Sequence, residues 1–219
     1  MSKWEEVTIK CPNCGKVSKF KLWDSINTTL DPEMKQKVRD GSAFSFTCPH
    51  CGYQTYIYRR FLYHQMEDKV LIQYCETDKE ETEFIQFFNQ NNPDFPTNFK
   101  AEGYWIRIVR SMNDLREKLF ILDEGLDDRV IEICKLFVLS EVYKKYPDLN
   151  VKEDMFVPGN NGEKYIQIIY AEEIGKISTL MAIIPDDLYE MVKSNIVDTI
   201  NDDSLTVDQN WAEAILQNQ

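Results

Sequence analysis

Two copies of one five-residue motif place four cysteines at the spacing of a metal site. The copies read CPNCG at residues 11–15 and CPHCG at residues 48–52. Two thiolates separated by two residues fit one side of a tetrahedral site if the chain turns sharply between them. Proline after the first cysteine favours that turn, and glycine after the second supplies a positive φ at no steric cost. The predicted ligands are Cys11, Cys14, Cys48 and Cys51.

Zinc (Zn²⁺) is the ion that this ligand set favours, because structural zinc takes four cysteine or histidine ligands. A closed set of four thiolates leaves no position for water, which favours a structural role over a catalytic one. Coordination would stabilise the folded module by on the order of 10 kcal/mol. A redox CxxC motif is disfavoured, since its reactive cysteine sits at a helix N-terminus, whereas these cysteines follow strands. Iron stays open until the metal is analysed.

Short extended segments lead into and out of each motif. Alternating or β-prone residues predict strands at 7–10, 17–24, 42–47 and 53–58. Between the motifs, Asp31 and Pro32 predict a helix start, with Asp31 as N-cap, and Gly41 predicts its end. We therefore predict that residues 1–63 form a zinc-ribbon-like β module with an inserted short helix.

Residues 64–219 are predicted to form a mixed α+β body on which the module packs, so the fold class is α+β. Predicted strands cover residues 70–74, 104–109, 152–157, 164–170 and 176–184. Predicted helices cover residues 80–90, 111–124, 126–146, 185–200 and 209–216. Residues 91–96 break the first of these helices, and the helix over 126–146 is apolar enough to be buried.

The charge is unevenly distributed between these two parts. Residues 1–63 carry 10 basic and 6 acidic side chains, a balance of +4, whereas residues 64–219 carry 15 and 31, a balance of −16. Four zinc-bound thiolates would lower the balance of the module to about +2. The acidic body repels a phosphate backbone, so nucleic-acid binding is possible only through residues 1–63.

Composition places the chain among globular proteins of the cytoplasm. Its residues are 43% hydrophobic and 12% aromatic, which allows a sizeable core. The N-terminus lacks the apolar run of a signal peptide, and no stretch is long and apolar enough to cross a bilayer. We therefore predict a cytoplasmic protein without a membrane partner, in which the six cysteines stay reduced.

The paired motifs and their surroundings resemble the CpXC domain family, which is named for this cysteine pattern. The resemblance covers DSINTTLDPEMKQKVRDGSAFSFTCPHCG and continues through FLYHQME and LREKLFILDEGLDDRVIEICKLF, so it spans roughly residues 1–140. It implies a bacterial zinc-binding protein and no particular activity. The four motif cysteines match the defining pattern of the family.

Other reactive side chains are more simply structural. His50 is predicted to face solvent, His64 to be partly buried and hydrogen-bonded, and Cys75 and Cys134 to be small core residues. The acidic doublets at 127–128 and 186–187 each open a predicted helix, where capping explains them. The chain contains no Walker A, GxSxG, HExxH or dinucleotide-binding motif.

Three functions follow from these observations. The first is a non-catalytic cytoplasmic zinc-binding protein that acts as a protein-interaction or regulatory module, with Trp23, Tyr53 and Tyr56 as candidate exposed aromatics. The second is a nucleic-acid-associated zinc ribbon. The basic side chains that would serve it are Lys10, Lys16, Lys19, Lys21, Arg59 and Arg60. The third is an enzyme that uses His64 with nearby carboxylates. The sequence leaves the partner, any substrate and the oligomeric state open.

Overall fold

The chain is a mixed α+β protein with two compact units. The computed structural model describes residues 2–89, 99–173 and 175–218. In that part of the chain, ten strands form three sheets and six α-helices accompany them. The units are Met1–Leu115 and Arg116–Gln219, and the division falls inside a helix. The mixed α+β class is confirmed.

The first unit contains one five-stranded sheet, one hairpin and the first helices. Its elements are β1 (Lys3–Lys10), β2 (Val17–Asn27), α1 (Met34–Arg39), β3 (Ser45–Thr47), β4 (Gln54–Tyr56), β5 (Phe61–Gln65), β6 (Val70–Tyr74), α2 (Asp78–Asn89), β7 (Trp105–Val109) and the start of α3 (Met112–Asp123). The sheet has the order β1-β2-β5-β6-β7, and β3 pairs with β4. The predicted break at residues 91–96 lies outside the described residues.

Strands β1 and β2 form a ribbon that extends beyond the rest of the sheet. The two strands pair along their length, whereas β2 pairs with β5 only over residues 25–27. The first cysteine motif occupies the turn of this ribbon, and the second occupies the turn between β3 and β4. Each motif is therefore carried at the tip of a two-stranded hairpin.

Aromatic packing ties the second hairpin to the sheet. Phe44 and Phe61 are both fully buried, and their ring centroids lie 4.9 Å apart. Residues 42–44 form a short 3-10 turn rather than the start of the predicted strand, so β3 begins at Ser45. The amide of Ile57 donates to the carbonyl oxygen of Phe44 at 2.8 Å and closes the base of the hairpin.

The inserted helix exists, but its predicted start is wrong. α1 begins at Met34, and its N-cap is Glu33, which makes no side-chain capping bond. The carbonyl oxygen of Asp31 instead accepts from the amide of Met34 at 2.9 Å, so residues 31–34 form a turn before the helix. The predicted end is confirmed, because Gly41 follows the helix with φ of 80°.

The predicted domain boundary after residue 63 falls inside β5. This strand pairs in parallel with β2 and antiparallel with β6, so the hydrogen-bonded sheet continues without interruption across residue 63. The compact unit extends to Leu115. The change in charge near residue 63 thus falls within a hydrogen-bonded strand of this sheet.

The start of α3 has a reciprocal pair of capping hydrogen bonds, the arrangement that serine followed three residues later by an acidic residue favours. The Oγ of Ser111 accepts from the amide of Asp114 at 3.0 Å, and the carboxylate of Asp114 accepts from the amide of Ser111 at 3.0 Å. Two otherwise unpaired donors at the helix start are thereby satisfied. Gly125 follows the helix with φ of 66°, as its role as the stop residue requires.

The second unit places helices on one face of a three-stranded sheet. Its further elements are α4 (Asp128–Lys145), β8 (Asn150–Pro158), β9 (Lys164–Glu173), β10 (Lys176–Ile184), α5 (Asp186–Asn195) and α6 (Gln209–Gln217). The sheet is antiparallel with the order β10-β9-β8. Its core includes Ile131 from α4, Ile166 and Ile168 from β9, Val192 from α5 and Trp211 from α6.

Helix α4 is buried, as predicted, but its buried face also carries charge. Asp127 caps the helix by accepting from the amide of Arg129, which confirms the capping interpretation of that residue. Asp128 does something else, because its carboxylate is fully buried against the ammonium of Lys118 at 3.1 Å. The same ammonium donates to Glu132 at 3.0 Å. Asp127 and Asp128 were both predicted to stabilise the helix start, but only Asp127 caps it, whereas Asp128 pairs with a buried lysine.

A second buried lysine joins three carboxylates. The Nζ of Lys135 lies 3.1 Å from carboxylate oxygens of Glu117, Glu132 and Asp154. Glu117 also accepts from the backbone amide of Phe156. With Lys118 and Asp128, the buried charge cluster comprises four carboxylates and two ammonium groups, so its negative charge is incompletely balanced.

Burial and the neighbouring charges shift the pKa values of two carboxyl groups in the cluster. Burial raises the pKa of Glu117 to about 7, with Lys135 opposing the rise and Glu132 adding to it. Burial also acts to raise the pKa of Glu132, but the lysines at 118 and 135 outweigh it and the net shift is downward. Burial and coupling thus move the pKa values of Glu117 and Glu132 in opposite directions, and that of Glu117 moves toward neutral pH.

We expect Glu117→Gln to change how the free energy of unfolding depends on pH. The folded pKa of about 7 lies above the usual 4.5, so the stability that protonation of Glu117 contributes is complete below about pH 4.5. It is lost as the pH rises through 7, at up to about 1.4 kcal/mol per pH unit. Glutamine has no such proton to lose. The free energy of unfolding of the variant, relative to that of the wild type, should therefore rise between pH 5 and 7.

Urea denaturation at a series of pH values measures this difference. Lys118, Lys135, Glu132 and the amide of Phe156 face the side chain in both proteins, so their contributions largely cancel. Glu141→Gln, an exposed change on α4, is the control. The difference between its free energy of unfolding and that of the wild type should hardly change with pH. A flat difference for Glu117→Gln would contradict the raised pKa of Glu117.

Candidate metal centre

The first motif forms a tight turn stabilised by its own backbone. The amide of Gly15 donates to the carbonyl oxygen of Cys11 at 2.9 Å. The amide of Cys11 donates to the carbonyl oxygen of Lys16, also at 2.9 Å. Gly15 has φ of 71°, in the left-handed region that glycine adopts without strain. The turn brings Cys14 back beside Cys11.

The second motif repeats this geometry. The amide of Gly52 donates to the carbonyl oxygen of Cys48 at 2.9 Å. The amide of Cys48 donates to the carbonyl oxygen of Tyr53 at 2.8 Å. Gly52 has φ of 72°, within one degree of its counterpart in the first motif. The same local sequence thus folds into the same turn twice.

The two turns face each other and bring the four sulfur atoms together. All four Sγ atoms lie within 4.8 Å of one another. Across the motifs, Cys11 lies 3.7 Å from Cys51, and Cys14 lies 3.7 Å from Cys48. A tetrahedral site with Zn–S distances of about 2.3 Å separates its sulfurs by about 3.8 Å. The four cysteines are free thiols and could hold a metal ion.

Neutral donors surround the sulfurs on the exposed side of the cluster. Cys14 and Cys51 are exposed, whereas Cys11 and Cys48 are buried. The backbone of Lys16 hydrogen-bonds to the sulfur of Cys14, and that of Tyr53 to the sulfur of Cys51. Such donors stabilise thiolate charge and orient the ligands of a metal.

Asn13 adds a contact that the sequence reasoning missed. Its side-chain amide donates to the Sγ of Cys51 at 3.5 Å, across from one motif to the other. Asn13 occupies a variable position inside its motif, so only the three-dimensional pairing of the turns gives it this role. The matching position of the second motif holds His50, which is exposed as predicted.

The thiols affect one another's ionisation. Hydrogen bonds from Asn13 and from the backbone of Tyr53 lower the pKa of Cys51 to about 6. At Cys14 the hydrogen bond from Lys16 acts in the same direction, but desolvation and the other three thiols raise its pKa to about 11. The pKa values of Cys14 and Cys51 differ although the two turns have the same geometry, because sulfurs so close together do not all ionise without a cation.

Only a small apolar cluster supports the site. Phe46 packs with the two buried cysteines, and Ile9, Phe20 and Ile57 lie against them. The rings of Phe20 and Phe46 meet edge to face at 5.9 Å and connect the two hairpins. So few apolar contacts leave much of the connection between the hairpin tips to the sulfurs themselves.

His64 lies in an aromatic environment at some distance in sequence from the cysteines. Its Nε2 lies 3.1 Å from the hydroxyl of Tyr104, and its ring meets that of Phe99 edge to face. Burial lowers its pKa. Among the described residues no carboxylate forms an ion pair or hydrogen bond with His64, so the enzyme hypothesis gains no catalytic pair here. The partly buried, hydrogen-bonded interpretation is confirmed.

The remaining cysteines and the predicted exposed aromatics give a mixed outcome. Cys75 and Cys134 are fully buried, as predicted, and burial raises the pKa of the two thiols to about 11 and about 12. Tyr53 and Tyr56 are exposed. Trp23 is buried, so its predicted exposure is wrong; its face is covered by Lys21, whose Nζ lies 3.9 Å from the ring centroid.

Three of the six candidate basic side chains for nucleic-acid binding have acidic partners. Lys19 pairs with Glu6, and Arg60 with Glu83. The pairs of Arg59 are with Glu5 and Asp24. Lys10 and Lys16, on either side of the first motif, form no ion pair with any described residue. The positive charge available to a phosphate is therefore smaller than the count of basic residues suggests.

Among the described helices, none combines the length and apolarity that a bilayer crossing requires.

Comparison with known proteins identifies one family. The model of the CpXC family, described as CpXC protein, matches residues 9–135, more than half of the chain, and includes all four motif cysteines. No curated protein matches the chain. No solved structure matches it either. The chain belongs to the CpXC family.

Proposed function

We propose that Cys11, Cys14, Cys48 and Cys51 bind one zinc ion in a structural site, and that the chain is a non-catalytic zinc-binding protein. One observation carries the proposal: two equal turns, from hairpins that are distant in sequence, present four sulfurs at the separation of a zinc tetrahedron. Zinc is proposed because four cysteines in a closed tetrahedron are a common ligand set of structural zinc, and metal analysis separates it from iron, which the same set accepts.

A structural role agrees with the surroundings of the sulfurs. Four protein ligands fill the coordination sphere, so no position is left for a water that zinc would activate. Two ligands, Cys11 and Cys48, belong to the apolar cluster that joins the hairpins. The ion would thus fix the relative position of two hairpin tips, in a cytoplasm that keeps the thiols reduced.

The surface beside the second motif favours a protein partner. Tyr53 and Tyr56 are 38% and 64% exposed; Tyr53 directly precedes β4, and Tyr56 is the last residue of that strand. Tyrosine combines apolar area with a polar tip and is enriched at protein interfaces. A zinc-fixed hairpin would present both rings on a rigid support, as a protein-interaction or regulatory module requires.

The first test is the metal content of the purified chain. We expect about one zinc per chain by mass spectrometry of the dissolved metal, and a loss of that zinc in Cys14→Ser and Cys48→Ser. Cys75→Ser, a buried thiol outside the cluster, is the control and should retain zinc. Iron in place of zinc, or equal metal loss in the control, would overturn the proposal.

A matched pair of glycine variants tests the turn geometry. Gly52 and Gly103 have φ of 72° and 76°, and a Cβ at either would meet no described atom within 4 Å. Alanine should therefore cost a similar ~1–2 kcal/mol of backbone strain at both positions. Of these two glycines, only Gly52 belongs to a turn that carries predicted ligands. Gly52→Ala should therefore weaken zinc binding by about tenfold, and Gly103→Ala should not. Competition with a chromophoric chelator measures this, and equal affinities in both variants would sink the idea.

The nucleic-acid alternative is separated by salt dependence. Lys10 and Lys16 are the side chains that keep it in consideration. Because most other cations of the unit are ion-paired or cover tryptophan, we expect the full chain to show no salt-sensitive shift of single- or double-stranded DNA or RNA on a gel. Binding that weakens with salt and disappears in a Lys10→Glu, Lys16→Glu variant would favour the alternative over the protein partner.

A further inference from the structure

The sheet of the second unit has two edges of different character. Strand β8 carries the features that protect an edge from pairing: charged residues at 152–154, Pro158 at its end and an irregular register after Val151. Strand β10 has none of these between Ile177 and Ile184, where the sequence contains no charge, proline or glycine. Within the described part of the chain, β9 is the only strand that pairs with β10.

The side chains of β10 divide by face. Leu180 and Ala182 pack toward the helices, and Ile184 is buried there. Ile177, Met181 and Ile183 lie on the opposite face and are 68%, 47% and 50% exposed. Alternating side chains share one face of a strand, so these three form an apolar row along an unprotected edge. Such a row is costly in a monomer and is typical of an interaction site.

We propose that β10 pairs antiparallel with β10 of a second copy, about a two-fold axis at Leu180, so that two three-stranded sheets become one of six strands. The strand is self-complementary in this register. Ile177 lies opposite Ile183 of the partner subunit, and Thr179 lies opposite Met181 of the partner subunit. Each exposed apolar side chain of the row thereby gains a cross-strand neighbour.

Charge supports a second copy as the occupant. The strand contains no acidic residue, so no like charges meet along the pairing. Its one charge, Lys176, is paired with Glu172 of the same chain and lies opposite the uncharged Ile184 of the partner subunit, so the register leaves no charge unpaired. Both ends of the interface share this arrangement by symmetry.

The remainder of the unit opposes association, in a way that can be measured. Residues 116–219 carry 10 basic and 21 acidic side chains, a balance of −11, so two copies repel each other at long range. Salt screens this repulsion and leaves backbone pairing and apolar contacts largely unaffected. The dimer should therefore become tighter as the ionic strength rises.

Sedimentation of the full chain over a range of protein and salt concentrations tests the proposal. We expect a monomer–dimer equilibrium that shifts toward dimer with salt. Met181→Glu and Met181→Lys should each weaken the dimer by about tenfold or more, because they place like charges on diagonal positions about 7–8 Å apart across the axis. Met191→Glu and Met191→Lys, at a methionine of α5 that is 40% exposed, are the matched controls and should dimerise like the wild type.

Mixing supplies the decisive arm. The Glu and Lys variants at residue 181, monomeric apart, should form a heterodimer together, because opposite charges then occupy the diagonal positions. A wild type that stays monomeric at every concentration overturns the proposal, as does a dimer that survives both Met181 variants. Failure of the mixture to associate overturns the register. The zinc content is measured on other residues, so its outcome is independent of this one.

Discussion

Four sulfur atoms within 4.8 Å of one another impose the constraint on which the first unit depends. Thiolates at that separation repel, and protons relieve the repulsion without connecting anything. A divalent cation relieves it and also joins the two hairpins that carry the sulfurs. The hairpins otherwise meet through a few apolar contacts, chiefly Phe20 against Phe46. The proposed metal would thus supply the connection that a core supplies elsewhere, since this end of the unit has few apolar contacts.

The second unit manages buried charge in a different way. Its four carboxylates and two lysines lie together with little exposure to solvent, and the ion pairs between them reduce the cost of burial. In the first unit the proposed ion would fix the geometry of the thiolates, whereas in the second unit carboxylates and lysines pair with one another. In both units several ionisable side chains lie within contact of one another. The stability of each unit should therefore be sensitive to the loss of one side chain from its cluster.

The local structure could be read from the sequence to a large extent, and the long-range contacts could not. The turns at both motifs, the capping box of Ser111 and Asp114, and the core positions of Cys75 and Cys134 depend on nearby residues and on hydrophobicity. The role of Asp128 was missed because its partner, Lys118, belongs to another helix. The N-cap at Asp31 was wrong because the chain uses that residue's carbonyl in a turn, a choice that residue type does not reveal.

The central claim is that one ion is held by all four motif cysteines, and X-ray absorption at the zinc edge of the purified full-length protein tests it most directly. The account predicts a single shell of four sulfur atoms at about 2.3 Å. A shell that contains nitrogen or oxygen donors, or fewer than four sulfurs, would contradict it, because an open or mixed coordination sphere would no longer join the two hairpin tips through Cys11, Cys14, Cys48 and Cys51 alone.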